Sequence, residues 1–268
     1  MRIVFNTVPT RLLWLPLVLV MFSCTNTKKT TYFYGVPDGP VASNSSLPES
    51  IIQKNDILSI VVSDINPEAA EIFNPISPTI KDPSATVSKD APVGYLVGTD
   101  GDIQFPVLGN IKAQGLTKTQ LKEYIIKTIL DKKLLLAPIV SIRFLNFRVT
   151  VLGEVGHPSV IPIPNEKISL LEALGLAGDL TIYGNRHNVM VIREEITPDK
   201  KERRTITRLN LNSAELFTSP YYYLQSNDIV YVEPNKAKVA STSRASQWLP
   251  VVFSGLSLAA IVADRLLN

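Results

Sequence analysis

The sequence contains one cysteine and two histidines among its 268 residues, and both scarcities exclude kinds of protein. A single cysteine cannot form a disulfide within the chain, so the folded domains must be stable through their own cores. Zinc sites need clusters of Cys and His at defined spacings, and the sequence contains no such cluster. We therefore expect no disulfide framework, no metal site and no cofactor.

Concentrated positive charge is also absent. The chain has 27 Lys and Arg residues against 24 Asp and Glu residues, a formal net charge of +3. Arg2 and Arg11 lie in the N-terminal region, and without them 25 basic residues face 24 acidic ones, a net charge near +1. A nucleic-acid-binding protein would carry a concentrated basic face. No nucleic-acid partner is expected.

The N-terminal region has the parts of a secretory signal peptide. Arg2 and Arg11 accompany an apolar run over 12–22, which at about 11 residues is too short for a membrane-spanning helix. The pair Ser23-Cys24 follows and resembles the lipobox of bacterial lipoproteins, whose cysteine receives diacylglycerol and acyl chains such as palmitate. We interpret Cys24 as a lipid attachment site and the mature N-terminus. The alternatives are a chance cysteine in an ordinary signal peptide and a buried free thiol.

A small β-rich domain is predicted over residues 49–146. The turn pair Asn55-Asp56 precedes a β-branched run that predicts a strand. Asp100-Gly101 lies between two short apolar segments and predicts a hairpin with a type I′ turn. Thr117 and Gln120 have the spacing of a capping box and predict the start of a helix.

The proline-rich stretch 64–92 interrupts this domain. It carries five prolines with few apolar residues between them, and we interpret it as a surface excursion that holds no site.

A second α+β unit is predicted over residues 147–235. The segment 147–163 predicts two strands, and Ser169 begins a short helix that ends at Gly178. The strands predicted next, 188–193 and 205–210, are expected to pair with each other. Residues 225–229 then repeat the Asn-Asp-Ile pattern of the first domain.

The C-terminal segment, residues 236–268, combines a polar linker with an uncharged apolar run over 248–263. As a helix these 16 residues would extend roughly 24 Å, which is marginal for a bilayer core of about 30 Å. A polar line opposite an apolar face suits a helix in a ring, with lipid outside and water inside; a plain anchor or a helix buried in the fold is the alternative. The predicted lipid-facing residues are Trp248, Val251, Val252, Gly255, Ala259 and Val262, and the predicted lumen-facing residues are Ser254, Ser257 and Asp264.

Taken in order, these segments resemble the outer-membrane polysaccharide export lipoproteins of Gram-negative bacteria. The resemblance covers nearly all of the mature chain. The segments that carry it are Cys24, the strand after Asn55-Asp56, Asp100-Gly101-Asp102-Ile103 with Phe105-Pro106-Val107-Leu108-Gly109 and Gly115-Leu116-Thr117, Val149-Thr150-Val151-Leu152-Gly153-Glu154-Val155 with Pro158, Leu170-Leu171-Glu172-Ala173-Leu174 with Ala177-Gly178, and Asn227-Asp228-Ile229-Val230-Tyr231-Val232.

The resemblance implies an α+β protein with a small polysaccharide-export domain, one β-grasp (soluble-ligand-binding) domain and a C-terminal membrane helix. The protein would be lipid-anchored in the outer membrane, with its soluble domains in the periplasm. The implied segments are 1–23 signal peptide, 24–48 lipidated tether, 49–146 export domain, 147–235 β-grasp domain, and 236–268 linker and helix.

The function that the resemblance implies is transport. Copies of the chain would form a homo-oligomeric ring and pore for a capsular or exopolysaccharide. Its partners would be the polysaccharide cargo, membrane lipid and an inner-membrane co-polymerase, often coupled to a tyrosine kinase. The alternative is a lipoprotein that forms no pore and binds soluble glycan or peptidoglycan through the β-grasp domain.

We predict no enzymatic activity. Glu154 beside His157, and Asp100 beside Asp102, are the candidate acid–base pairs, but turn and strand-end roles explain them more simply. The tyrosines at 221–223 could stack on sugars, although packing at a strand edge is the commoner use of such a cluster.

Overall fold

Ten strands and five helices form the described part of the chain. The computed structural model describes residues 31–34, 36–42, 49–74, 94–196, 202–242 and 244–267. The strands are β1 (Ile57–Ser63), β2 (Gly94–Leu96), β3 (Asp102–Phe105), β4 (Gly109–Lys112), β5 (Ile139–Phe144), β6 (Arg148–Gly153), β7 (Ser159–Pro162), β8 (Gly184–Ile196), β9 (Glu202–Leu209) and β10 (Ile229–Pro234). The helices are α1 (Pro67–Glu71), α2 (Lys118–Asp131), α3 (Leu170–Leu176), α4 (Lys236–Ser241) and α5 (Arg244–Leu267).

The first domain places helix α2 against a three-stranded antiparallel sheet of order β2-β1-β5. Three residues on one face of α2, Leu121, Ile125 and Ile129, are fully buried, as the 3.6-residue period of an amphipathic helix requires. The predicted capping box is present: Thr117 Oγ1 accepts from the Gln120 N–H, and Gln120 Oε1 accepts from the Thr117 N–H.

The prediction of a type I′ hairpin at Asp100-Gly101 is wrong both in the turn type and in the strands that pair. The turn exists, with the Gly101 N–H donating to the Gly98 carbonyl at 2.9 Å. Gly101 has a positive φ of 85° whereas Asp100 does not, so a type I′ turn is excluded. Strand β2 pairs instead with β1, and β3 pairs with β4 as a separate two-stranded sheet.

Part of the predicted surface excursion at 64–92 belongs to the core. Helix α1 begins within it, and Phe73 is fully buried with its ring 6.4 Å from that of Phe105. The Asn74 side chain accepts from the Val62 N–H at 2.9 Å and so continues the edge of β1. The buried ring of Phe73 packs this stretch against the domain. The number of prolines, on which the prediction rested, does not indicate this contact. Residues 75–93 lie outside the described residues.

The second domain is a five-stranded sheet of order β7-β6-β10-β8-β9 with helix α3 packed on it. The strands β8 and β9 pair antiparallel, as the sequence predicts. Strand β10 is central: it runs parallel to β6 and antiparallel to β8. Gly153 ends β6 with φ of 93°, and a Cβ at this position would lie 2.1 Å from the Val232 carbonyl oxygen. The mixed α+β class is as expected.

The two domains contain the same five-residue turn. Residues 53–57 read Gln-Lys-Asn-Asp-Ile and residues 225–229 read Gln-Ser-Asn-Asp-Ile. In both turns the asparagine is left-handed, with φ of 65° at Asn55 and 67° at Asn227. In both, a buried Asp carboxylate accepts from the glutamine N–H, at 2.8 Å for Asp56 and 2.7 Å for Asp228. The repeated Asn-Asp-Ile sequence therefore forms the same backbone conformation and the same hydrogen bond in both domains.

These twin turns meet at the joint between the domains. The Asn227 side-chain amide lies 3.4 Å from both Asp56 Oδ1 and Gln53 Oε1. Glu166, from the second domain, accepts from the Phe144 N–H at 2.7 Å and forms an ion pair with Lys118. Polar contacts thus hold the first domain at a fixed place on the second.

The carboxylates of the twin turns differ in how their charge is balanced. Asp228 forms a bidentate pair with the buried Arg193, whose Nη2 lies 2.7 Å from Asp228 Oδ2. Among the described residues, Asp56 receives hydrogen bonds only from amide donors, and the positive charge of Arg148 lies farther away. Burial therefore raises the pKa of Asp56 to about 6, partly offset by the hydrogen bonds from Gln53 and Asn227.

This difference predicts a pH dependence of stability. Between about pH 4 and pH 6 the folded chain keeps a proton on Asp56 that the unfolded chain has lost, so wild-type stability should fall as pH rises through this window. The Asp56→Asn variant should lose this component, which amounts to up to about 3 kcal/mol. Urea unfolding measured from pH 4 to pH 8 tests the prediction. The exposed Glu123→Gln serves as the control. An unchanged slope in Asp56→Asn would show that Asp56 ionises normally in the folded state.

Candidate functional site

The described N-terminal segment and the connection that follows β10 are both fixed to one short segment of the second domain. We call this segment, residues 179–187, the docking loop. It connects the end of α3 to β8 and includes the first residues of that strand. Its contacts to the N-terminal segment and to the start of α4 define the candidate site.

The N-terminal segment attaches through Tyr32. Its hydroxyl donates to Asp179 Oδ1, and the Arg186 guanidinium lies over its ring, 5.1 Å from the ring centre. Burial raises the pKa of the Tyr32 hydroxyl, and the Asp179 carboxylate raises it further, so the phenol stays protonated and remains a donor. Tyr32 is thus held between an acidic and a basic residue of the same loop.

Phe33 secures the same segment on an adjacent surface. Its ring stacks on Phe217 with centroids 5.3 Å apart, and its N–H donates to the Leu211 carbonyl at 3.4 Å. Phe217 in turn packs edge-on against Tyr222, within the tyrosine cluster considered above for sugar stacking. Tyr222 therefore packs against an aromatic ring, although not at a strand edge as expected. Tyr32 and Phe33 therefore both pack on the second domain.

The C-terminal connection docks on the other side of the loop. The Asn235 N–H donates to the Tyr183 carbonyl at 2.7 Å, and its side-chain amide donates to the Ile182 carbonyl at 3.2 Å. Asn235 also caps α4 by accepting from the Lys238 N–H at 3.0 Å. Because Asn235 both caps the helix and binds the loop, the direction in which α4 leaves the domain is fixed.

Lys238 and Glu154 complete this attachment. The Lys238 ammonium lies over the Tyr183 ring at 5.1 Å and 3.7 Å from Glu154 Oε1. The other oxygen of Glu154 accepts from the Thr181 hydroxyl at 2.9 Å. Glu154 therefore has a structural role, as expected, and it does not pair with His157. Among the described residues no group of acidic, His or Cys side chains is arranged to hold a metal ion.

Cys24, the predicted lipid attachment site, lies outside the described residues. It precedes Tyr32 by eight positions, so the intervening chain can extend at most about 28 Å. A lipid on Cys24 would therefore be confined to the neighbourhood of the docking loop. Its attachment stays a prediction.

Within the described residues, no packing separates the predicted faces of the C-terminal helix. The lipid-facing set Trp248, Val251, Val252, Gly255, Ala259 and Val262 is exposed, and so are Ser254 and Ser257 from the lumen-facing set. The Ser254 hydroxyl donates to the Pro250 carbonyl at 2.8 Å, and the Ser257 hydroxyl donates to the Ser254 carbonyl at 2.9 Å. The serines are thus satisfied within the helix. The side chain of Asp264 lies outside the described residues.

The expectation of a membrane-spanning C-terminal helix is not supported. Within the described ranges, no helix is both long enough and apolar enough to cross a membrane. Helix α5 has 24 residues, but its apolar run is interrupted by Pro250 and two serines and is followed by Asp264 and Arg265. This leaves too little continuous apolar length for a bilayer core of about 30 Å.

Comparison with known proteins shows which families the two domains are similar to. Residues 44–145 match the family described as polysaccharide biosynthesis/export protein, and residues 147–232 match the SLBB domain. The boundary between the matches falls at the joint between the two observed domains. The first domain is therefore similar to the polysaccharide export family, and the domain that follows it is similar to the SLBB domain.

Curated relatives carry the same description. The chain is 36% identical over 104 residues to the EPS I polysaccharide export outer membrane protein EpsA of Ralstonia solanacearum, covering 37% of this chain and 27% of the relative. It is 35% identical over 147 residues to the protein of the same name from Ralstonia nicotianae, covering 53% of this chain and 38% of the relative. The chain thus matches well under half the length of either relative.

The docking of Tyr32 predicts a measurable local effect. In Tyr32→Phe the ring is kept but the hydrogen bond to Asp179 is lost, which should cost about 1 kcal/mol. Hydrogen exchange at the Phe33 amide should accelerate accordingly, by roughly fivefold, because this amide is held by the same docked segment. Tyr124→Phe, on the exposed face of α2, is the matched control. If both variants left Phe33 exchange unchanged, the hydroxyl would contribute nothing to docking.

Proposed function

We propose that this protein is a subunit of an outer-membrane complex that exports a capsular or extracellular polysaccharide, and that it acts as a homo-oligomeric ring. The observation that carries the proposal is that the N-terminal segment and the start of α4 both attach to the docking loop. An N-terminal lipid and an apolar C-terminal helix would then reach the membrane from one end of the second domain. The family, and the name of the relatives, supply the polysaccharide as cargo.

Strand β10 supports an orientation for this subunit. It begins after Asn227, at the joint with the first domain, and ends at Pro234, next to the docking loop. Its six residues extend roughly 20 Å. The export domain and the membrane-directed elements therefore lie at opposite ends of β10. In the proposed complex the export domain points away from the outer membrane, toward an inner-membrane co-polymerase.

The apolar surface of α5 supports oligomerisation. A helix with this much exposed apolar surface needs burial by something other than water. In the described part of the single chain, the large apolar side chains of this helix remain between 48% and 82% exposed; they are Trp248, Leu249, Val251, Val252, Phe253, Leu256, Leu258, Ile261, Val262 and Leu266. We propose that the helices of neighbouring copies pack together at the membrane-directed end and surround the export path.

Removal of this helix tests the oligomer. A chain ending at Ser246 should remain monomeric and should not export polysaccharide, because it lacks the apolar surface that joins the copies. Its soluble domains should keep their urea unfolding midpoint, since the exposed side chains of α5 make no part of their cores. Cell-surface polysaccharide and the mass of the detergent-extracted protein are the measurements. Normal export by the truncated chain would refute the proposal.

The proposed lipid at Cys24 has a separate test. In Cys24→Ala the folded domains should be unchanged, while ring assembly and export should fall together, because the subunit is no longer held at the outer membrane. Metabolic labelling with a radioactive fatty acid reports the modification itself, and membrane fractionation reports the location. Full export by a soluble, unlabelled Cys24→Ala protein would show that the lipid has no positioning role.

A further inference from the structure

A small cavity opens beside the docking loop, where β8 begins and the chain enters α4. It has a volume of about 360 Å³ and lies between residues 184–187 and residues 234–237. The cavity is therefore at the base of the segment that leads into the apolar helix. No role described above uses it.

Several side chains that line this cavity have hydrogen-bond donor groups that are not used elsewhere. Among the described residues Lys236 makes no ion pair or hydrogen bond through its ammonium group, and Asn185 uses only its Oδ1, which accepts from the His187 N–H at 3.3 Å. The Asn212 amide nitrogen lies 3.3 Å from His187 Nε2 and can only donate to it. With the amide in this orientation Nε2 accepts, and the Nδ1–H of a neutral His187 ring is then a further donor.

A buried positive charge beneath the cavity also favours a ligand that accepts hydrogen bonds. Arg186 also lines it and is 5% exposed. Its guanidinium donates to the carbonyls of Thr181, Gly184 and Leu180, and its Nε is buried without a hydrogen-bond partner. Asp179, the nearest carboxylate of the docking loop, is engaged by the Tyr32 hydroxyl.

No carboxylate is among the residues that line the cavity. A ligand that satisfies several donors, and meets no competing acceptor, must itself be rich in acceptors and negatively charged. Phosphate-type oxyanions meet this requirement with several oxygens on one small group. Neutral sugars would leave the charges of Lys236 and Arg186 without a counterpart.

We propose that this cavity binds a phosphate-type oxyanion, contacted by Lys236, His187 and Asn185. The phosphate of a lipid headgroup and free inorganic phosphate share this chemistry. The headgroup source rests on the proposed function, which places the docking loop at the membrane-directed end of the subunit. The oxyanion site itself depends only on the donors that line the cavity.

The two histidines of the chain make the test selective. Full-length protein with isotope-labelled histidine, in dodecyl maltoside micelles, is titrated with inorganic phosphate while the imidazole signals are followed by NMR. We expect the signals of His187 to move and those of His157, which does not line the cavity, to stay in place. Mixed micelles containing phosphatidylglycerol or phosphatidylcholine, without phosphate, then show whether an anionic lipid headgroup produces the same shift.

Matched variants separate binding in the cavity from general charge effects. Lys236→Gln should weaken the response of His187 roughly tenfold, as expected for the loss of one charge-assisted hydrogen bond. Lys122→Gln, on the surface of α2, should leave it unchanged.

A shift with phosphatidylglycerol alone would assign the headgroup as the source, and a shift with inorganic phosphate would assign a soluble anion as a ligand; both support the site. An equal response in Lys236→Gln and wild type, or no response to either probe, would overturn it. Neither outcome would bear on oligomerisation, so failure of this site is distinguishable from failure of the export proposal.

Discussion

Strand β10 is the constraint on which the rest of the molecule depends. It is hydrogen-bonded along both edges, to β6 and to β8, and its start is fixed by the buried pair between Asp228 and Arg193. Removing one partner of such a pair leaves an uncompensated buried charge, which typically costs about 3–5 kcal/mol. With both edges and the start held, Asn227 and Asn235 lie at defined opposite ends. The first meets the export domain, and the second meets the docking loop.

The twin turns show how one sequence pattern serves two purposes. In the second domain the aspartate is neutralised by Arg193, and the turn fixes a strand. In the first domain Asp56 lacks an arginine at hydrogen-bond distance and relies on the amides of Gln53 and Asn227. The second turn thereby supplies a hydrogen-bond donor to the first. This contact between the domains takes the place that the ion pair with Arg193 has in the second turn. This arrangement makes the joint sensitive to protonation and also makes its geometry specific.

Local signals in the sequence predicted the local structure well. The capping box at Thr117, the helix start at Ser169 and the pairing of β8 with β9 followed from spacing and alternation. The pairing of β2 did not, because Asp100-Gly101 describes a turn and carries no information about which strand lies beside it. The docking loop was not predicted either. Tyr32 and Asp179 are separated by 147 positions, and no local pattern encodes such a contact.

In the assembly that we propose, several copies surround an export path, with their docking loops directed to one membrane. Electron micrographs of the full-length protein, extracted from membranes in mild detergent, test this assembly. We expect closed rings of identical subunits, with the α5 helices gathered at one end and the export domains at the other. A population of single, monomeric particles under conditions that preserve export activity in the source membranes would contradict it.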